Sequence, residues 1–271
     1  MGETVSKVYI DKSKCSRDCI CIELCPAGLF GQDSEGFPVF SLDKEACCMS
    51  CGHCVAACPH DAITHSSVSR ENSPLINQDI AITAESTIQL LKTRRSIRAY
   101  KKERVPQELI ARIIDVTCWA PSAGNNQPVH WLVITNIDEL HRLAGLVAAW
   151  FRKNSGLLPR FRVYLGAWDE GKDMILRGAP HLAVLHALPT RGLEAADCAI
   201  AITYFELAAY AYGLGTCWAG LLTEAADHYP PIIKELKLPE GHRVFGAVMF
   251  GYPEHRYQRI PPRKEAKTTW R

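Results

Sequence analysis

Several things are missing from this sequence. No stretch is long and apolar enough to span a bilayer. The longest uncharged run, 207–223, is broken by Gly213, Gly215 and Gly220 and falls short of the roughly 20 apolar residues a membrane helix needs. The opening MGETVSKVYIDK has no apolar core, so no secretory signal is expected. Met1-Gly2 with Ser6 fits a myristoylation pattern, but so short a pattern often arises by chance and no acylation is expected from it. Excess charge is also missing. A net charge of +2 argues against a nucleic-acid or anionic-membrane partner. Low-complexity tracts are absent, and no Gly-x-Gly-x-x-Gly turn follows a strand, which excludes a dedicated Rossmann dinucleotide site. The remaining composition, 47% apolar and 22% charged over 271 residues, is that of a globular chain with one or two cores.

Cysteine, by contrast, is abundant. Nine of the twelve (Cys15, Cys19, Cys21, Cys25, Cys47, Cys48, Cys51, Cys54 and Cys58) precede residue 60. Without a secretory signal, such density reads as metal ligation in a reducing compartment rather than as disulfides. Cys48-x2-Cys51-x2-Cys54-x3-Cys58-Pro59 is the spacing in which three thiolates wrap one iron–sulfur cube and the fourth, before proline, reaches another. A zinc knuckle is the competing reading, but zinc rarely uses three evenly spaced cysteines with a fourth before proline.

An imperfect repeat precedes it. Counting back from Cys25-Pro26, the same spacing places ligands at 21, 18 and 15, yet position 18 is Asp18 and the cysteine stands at Cys19. Cys19 ligates through a shifted loop, or Asp18 ligates through oxygen, or the cluster has only three irons. Thiolate is the better iron ligand, which favours Cys19. The block resembles bacterial two-cluster [4Fe–4S] ferredoxins over essentially its whole length. The resemblance implies that Cys25, Cys48, Cys51 and Cys54 hold one cluster and that Cys15, Cys19, Cys21 and Cys58 hold the other. Cys47 is then surplus and is expected to be a packing thiol.

Composition divides the chain into a Cys-rich block at 1–65, a polar linker at 66–84 and a larger block at 85–271. In the larger block, Leu109, Ile110, Ile113, Ile114 and Cys118 recur at helical spacing behind Pro106. Leu140, Leu143, Ala144 and Val147 mark a second helix, and 195–212 a long buried one. Segments 129–135, 181–187 and 244–250 read as buried strands. The irregular order of helix and strand predicts an α+β domain rather than a doubly wound sheet. Cys118, Cys198 and Cys217 are expected in the core, and His130 and His181 in structural roles.

Four segments of this block carry chemistry. Arg94-Arg95-Ser96-Ile97-Arg98 gathers three guanidinium forks suited to phosphate, just after an amphipathic stretch containing Ile88 and Leu91. Pro121-Ser-Ala-Gly-Asn-Asn-Gln-Pro128 is a turn crowded with amides. Gly213-Leu-Gly-Thr-Cys-Trp-Ala-Gly220 lets backbone approach a flat ligand. Pro261-Pro-Arg263-Lys264 adds another fork.

In this order the segments resemble the FMN-dependent nitroreductase family over about 85–271. The resemblance implies an α+β sandwich forming an intertwined homodimer with FMN at its interface. It implies that Arg94, Arg95, Ser96, Arg98 and Arg263 hold the FMN phosphate, ribityl chain and pyrimidine edge. Pro121, Ser122, Ala123 and Asn125 would come from the partner subunit. Gly215, Thr216, Ala219, Gly220 and Leu221 would run past the flavin ring. No general acid is expected, because the flavin carries the chemistry.

Together the halves describe a converter between one- and two-electron chemistry. Electrons would pass from a low-potential donor such as ferredoxin, through two [4Fe–4S] clusters, to FMN and on to a nitro, quinone or other small organic acceptor. The reverse flow, from NAD(P)H through FMN to the clusters and a partner protein, and a non-enzymatic redox sensor are the alternatives. A cytoplasmic location is expected, since such clusters tolerate oxygen poorly.

Overall fold

The computed structural model describes residues 6–154 and 159–271, apart from the side chains of 159 and 160. Met1-Gly2 therefore lies outside the described residues. The chain divides into two compact units: one runs to Ala81 and includes Gly124–Asn126, the other comprises Ile82–Ala123 and Gln127–Arg271.

The smaller unit contains β1 (Val8–Ile10), α1 (Ile20–Leu24), β2 (Phe30–Gln32), β3 (Pro38–Phe40), α2 (His53–Ala57) and β4 (Ile63–His65). β1 pairs antiparallel with β4, and β2 with β3. Asp33 closes the hairpin: its Oδ1 accepts from the N–H groups of Glu35 and Phe37 at 3.0 and 2.9 Å, ahead of the left-handed Gly36. Phe30 and Phe40, edge to face at 5.4 Å, pack with Val8, Leu29 and Ile63 into a core too small to stand as the whole stabilising influence.

The unit is an internal repeat shifted by thirty-three residues (19 to 52, 25 to 58). Each short helix opens on a left-handed residue, Cys19 at φ 61° and Gly52 at φ 75°. Each closes on a cysteine at φ −73°, with ψ 109° at Cys25 and 111° at Cys58. Each closing sulfur accepts a backbone N–H from four residues on, Leu29 and Ala62, at 3.3 Å in both halves. Cys47 ends a 3₁₀ turn, Leu42–Cys47, and is exposed rather than packed, against expectation.

The larger unit contains α3 (Ala84–Thr93), α4 (Gln107–Val116), β5 (His130–Ile134), α5 (Ile137–Asn154), α6 (Pro159–Asp169), β6 (His181–Ala187), α7 (Glu194–Ala211), β7 (Gly215–Trp218), α8 (Gly220–His228), α9 (Pro230–Leu236) and β8 (Arg243–Gly251). Its sheet has the order β5-β6-β8-β7 with every pair antiparallel, so the fold is α+β. The period-two pleat sorts the side chains. Leu182, Val184, Ala247 and Met249 face α5, α6, α8 and α9, whereas Ala183, Leu185, Val248 and Phe250 face α4 and α7. Helices cover both sheet faces, which is why β6 is apolar at nearly every position and buried at all. Cys198 and Cys217 are buried as expected, but Cys118 is exposed. α4 stops at Val116, and the 3₁₀ turn Thr117–Trp119 breaks the periodicity that placed Cys118 inside. Among the described residues no helix is long and apolar enough to cross a membrane.

Candidate functional sites

In the larger unit, α3 begins on Thr83, whose Oγ1 accepts from the Ser86 N–H at 3.1 Å, and ends where the cationic run starts. Residues 94–97 then lie alongside β7. Ser96 bridges Thr216, and the Ile97 N–H donates to the Thr216 carbonyl at 2.8 Å. Tyr100 fixes the far side, its hydroxyl donating to the Ile97 carbonyl at 2.7 Å, and burial pushes its phenol well above the usual range. The segment and strand wall a cavity of about 820 Å³, within the roughly 300–1,000 Å³ of ligand clefts. Its lining includes Lys92, Arg94, Arg95, Arg256 and Arg259 and, among the described residues, no carboxylate. Such a wall selects an anionic ligand.

Glu206 stands behind the wall. It is buried in α7, accepts from Thr216 Oγ1 at 2.9 Å and sits 3.4 Å from Arg94 Nη1. It thereby joins helix, strand and cationic segment. Glu206→Ala is expected to lower the unfolding free energy by about 2 kcal/mol, because it strands a half-buried guanidinium and an inward hydroxyl. Glu206→Gln, which keeps an acceptor for Thr216, is expected to cost less than half of that. Urea titration followed by tryptophan fluorescence checks both.

Of the residues anticipated from sequence, Arg94, Arg95, Gly215 and Thr216 line the cavity. Ser96 adjoins it through the backbone. Arg98 is exposed and turned back, its Nη1 3.4 Å from the Ser96 carbonyl. Arg263 does not line it. The chain leaving β8 follows the cavity only over 253–260 and brings Arg256 and Arg259 there instead. Ala219, Gly220 and Leu221 leave it: the Ala219 N–H donates to the Ala247 carbonyl at 2.8 Å, Gly220 starts α8, and Leu221 packs on the core. Pro121, Ser122, Ala123 and Asn125 are not in the lining. Their loop is tied to α7 through the Ala123 N–H and Asp197 Oδ1 at 3.0 Å, and Ser122 Oγ accepts from the Gln127 N–H at 2.9 Å. Sequence reading missed Lys92, Arg256, Arg259 and Glu206. Only Glu206 left a signal, as the one acid in the apolar stretch 198–223.

In the smaller unit the cysteines separate into two sets around two hollows. Cys25, Cys48, Cys51 and Cys54 line one, with His65 Nε2 3.5 Å from Cys48 Sγ. Cys15, Cys21 and Cys58 line the other, together with Asp18. Burial, reinforced by Cys15, Asp18 and Cys58, pushes the Cys21 thiol up to about 11. Cys19, favoured as a ligand from sequence, is not in that lining. Gln32 Nε2 donates to its Sγ at 3.1 Å, and the backbone there is left-handed. Among the described residues no three acidic, His or Cys side chains converge on one point as a single metal ion needs. Soft donors spread around a hollow, with N–H groups already on Cys25 and Cys58, fit a multi-iron cluster better.

A sequence profile described as the nitroreductase family matches residues 91–252. Nitroreductase NfnB of Mycolicibacterium smegmatis is 29% identical over 206 residues, covering 65% of this chain and 85% of that protein. A nitroreductase of Bacteroides fragilis, solved with bound FMN, superposes with a TM-score of 0.58 at 26% identity, covering 68% of this chain and 97% of that one. The solved NfnB complex with NADPH superposes at 0.52 and 24% identity over 69% of this chain and 99% of that one.

Proposed function

Because the chain belongs to the nitroreductase family, we propose that its larger unit binds FMN in the 820 Å³ cavity and works as an FMN oxidoreductase. The observation that carries this reading is the cationic wall facing Gly215. Arg94 and Arg95, with Arg256 and Arg259, would hold the phosphate. Glu206 would keep Arg94 oriented, and the main chain at Gly215 and Thr216 would lie against the flat ring system. Bound FMN would supply two-electron transfer to a small organic acceptor, a nitro compound or quinone among the candidates. The 121–125 loop would complete the site of a partner subunit in a homodimer.

The smaller unit is read as a two-cluster [4Fe–4S] ferredoxin-like module. Cys25, Cys48, Cys51 and Cys54 would hold one cluster and Cys15, Cys21 and Cys58 would contribute to the other. Its role would be to bring single electrons from a reduced ferredoxin to the flavin. Direct reduction by NAD(P)H is the second reading, favoured by the relative solved with NADPH.

An anaerobic titration with NADH and then NADPH, following the flavin absorbance, separates the two. Absorbance unchanged by both nucleotides but bleached by reduced ferredoxin supports the inlet through the clusters. Rapid bleaching by either nucleotide makes FMN the point of entry and the clusters an exit. A purified protein that takes up no FMN overturns the reading. Under the first reading, Cys51→Ser is expected to abolish ferredoxin-driven turnover, at least a hundredfold, while FMN content stays at the wild-type level. Assay with reduced ferredoxin and release of flavin by heat measure the two quantities.

A further inference from the structure

We infer that Asp18, and not Cys19, is the fourth protein ligand of the cluster held by Cys15, Cys21 and Cys58. The inference rests on the cluster reading above and deepens it. Three features of the smaller unit carry it.

The first is the hollow itself. Asp18 lines it with Cys15, Cys21 and Cys58, and Cys19 does not. The second is the backbone repeat. Shifting the first half by thirty-three residues lays Cys15 on Cys48, Cys21 on Cys54 and Cys25 on Cys58. The unusual conformations coincide as well: Arg17 (φ 63°) falls on Ser50 (φ 48°), Cys19 (φ 61°) on Gly52 (φ 75°), and Gly28 (φ 60°) on Asp61 (φ 53°). In that alignment Asp18 falls on Cys51, which lines the other hollow, whereas Cys19 falls on the left-handed glycine that opens α2. Gly52 borders that hollow through its backbone but offers no ligand, and a Cβ built on it would meet Val68 Cγ1 at 3.2 Å. The third is what Cys19 does instead. Its sulfur accepts from Gln32 Nε2 at 3.1 Å and lies 3.4 Å from the Arg17 carbonyl, so it has partners outside the hollow.

Asp18 has room for the role. Its Oδ2 accepts from Ser16 Oγ at 2.8 Å and its Oδ1 from the Ile20 N–H at 3.2 Å. Those two bonds orient the carboxylate at the start of α1, and each oxygen keeps a free lone pair. An ionised carboxylate carries the same single negative charge as a thiolate, so the charge of the ligand set is unchanged. The donor is harder, and the iron it holds becomes distinct from the other three.

The test is anaerobic reconstitution of the full chain as wild type, Asp18→Ala, Asp18→Cys and Cys19→Ala. The readouts are iron and sulfide content, Mössbauer spectra and EPR. Wild type and Cys19→Ala are expected to hold two complete [4Fe–4S] clusters, one iron carrying the signature of oxygen coordination. Asp18→Ala is expected to lose that iron and give the EPR signal of a three-iron cluster. Asp18→Cys is expected to regain full iron while losing the oxygen-coordinated component. A three-iron cluster in the wild type, a full complement in Asp18→Ala with unchanged spectra, or loss of iron in Cys19→Ala alone overturns the assignment of Asp18. A wild type that takes up no cluster overturns the cluster reading itself, which keeps the two failures apart.

Discussion

Gly215→Val should leave a protein that retains little flavin and melts well below the wild type. A Cβ at 215 would stand 2.4 Å from Ile97 Cγ1, 2.8 Å from its Cβ and 2.9 Å from its Cγ2. Rotating Ile97 cannot relieve the contact, because its own Cβ is among the crowded atoms. Sliding the segment away is resisted by the Ile97 N–H bond to Thr216 and by the Tyr100 hydroxyl on the Ile97 carbonyl. Either those bonds break or β7 moves, and in both cases Arg94 and Arg95 leave their places on the cavity wall. Overpacking of this kind costs about 1–3 kcal/mol, and the lost hydrogen bonds add to it. The expected result is a drop of several degrees in melting temperature and a flavin affinity at least a hundredfold weaker. Gly166→Ala is the control, since an added Cβ in α6 meets nothing within 4 Å. It should leave flavin content unchanged and raise stability slightly, as alanine does in a helix. If Gly215→Val purified with its full flavin, the cavity would not be the flavin site.

The second large effect is acid sensitivity of the larger unit. His181 is buried against Phe250, with its Nε2 accepting from the Val105 N–H at 2.9 Å and its Nδ1 without a partner. His186 shares a contact of 2.9 Å with Nδ1 of His242 and stacks on His130. Burial pushes both imidazoles down to about 4, assisted by Arg104 at His181 and by His242 and His130 at His186. In the folded protein both stay neutral to about pH 4, whereas in the unfolded chain they take up protons below about 6.5. Stability is therefore unaffected above pH 6.5 and declines as pH falls from 6.5 towards 4. At pH 5 each histidine should contribute about 2 kcal/mol of destabilisation relative to neutral pH. All six tryptophans lie at or beyond Trp119, so urea unfolding followed by tryptophan fluorescence reports the larger unit. Unfolding should take up nearly two protons at pH 5, and His181→Gln or His186→Gln should remove one of them. A urea midpoint that does not change between pH 7 and pH 5 would sink the argument.

How far the sequence could be read depended on what kind of signal each part leaves. β6 and α7 are apolar along almost their whole length, because helices cover both faces of the sheet, and such runs are visible in any window. α8, α9 and the descent of the chain past the cavity leave no comparable pattern. Position along that descent decided that Arg256 and Arg259, rather than Arg263, reach the cavity wall. At the first cysteine repeat, spacing pointed to position 18 and ligand chemistry to position 19. The left-handed turn at Cys19 is a backbone property and leaves little trace in residue type, so ligand chemistry alone could not tell that Asp18, and not Cys19, borders the hollow. Glu206 was hidden for the opposite reason: an acid inside an apolar helix looks like an interruption until its partners, Arg94 and Thr216, are known.

β6 pairs with β5 on one side and β8 on the other and is buried at every residue. Its amides have no local route to water, so deuterium should enter them only when the whole larger unit opens. Exchange at residues 182–187 then gives a direct gauge of that unit's global unfolding, in the holoprotein and without denaturant. Adding FMN should slow this exchange in proportion to flavin occupancy. Under the proposed cluster reading, removing iron from the smaller unit should leave it unchanged if the two units unfold independently. One set of peptides would thus report whether cofactor loading in one half of the chain is energetically coupled to the other.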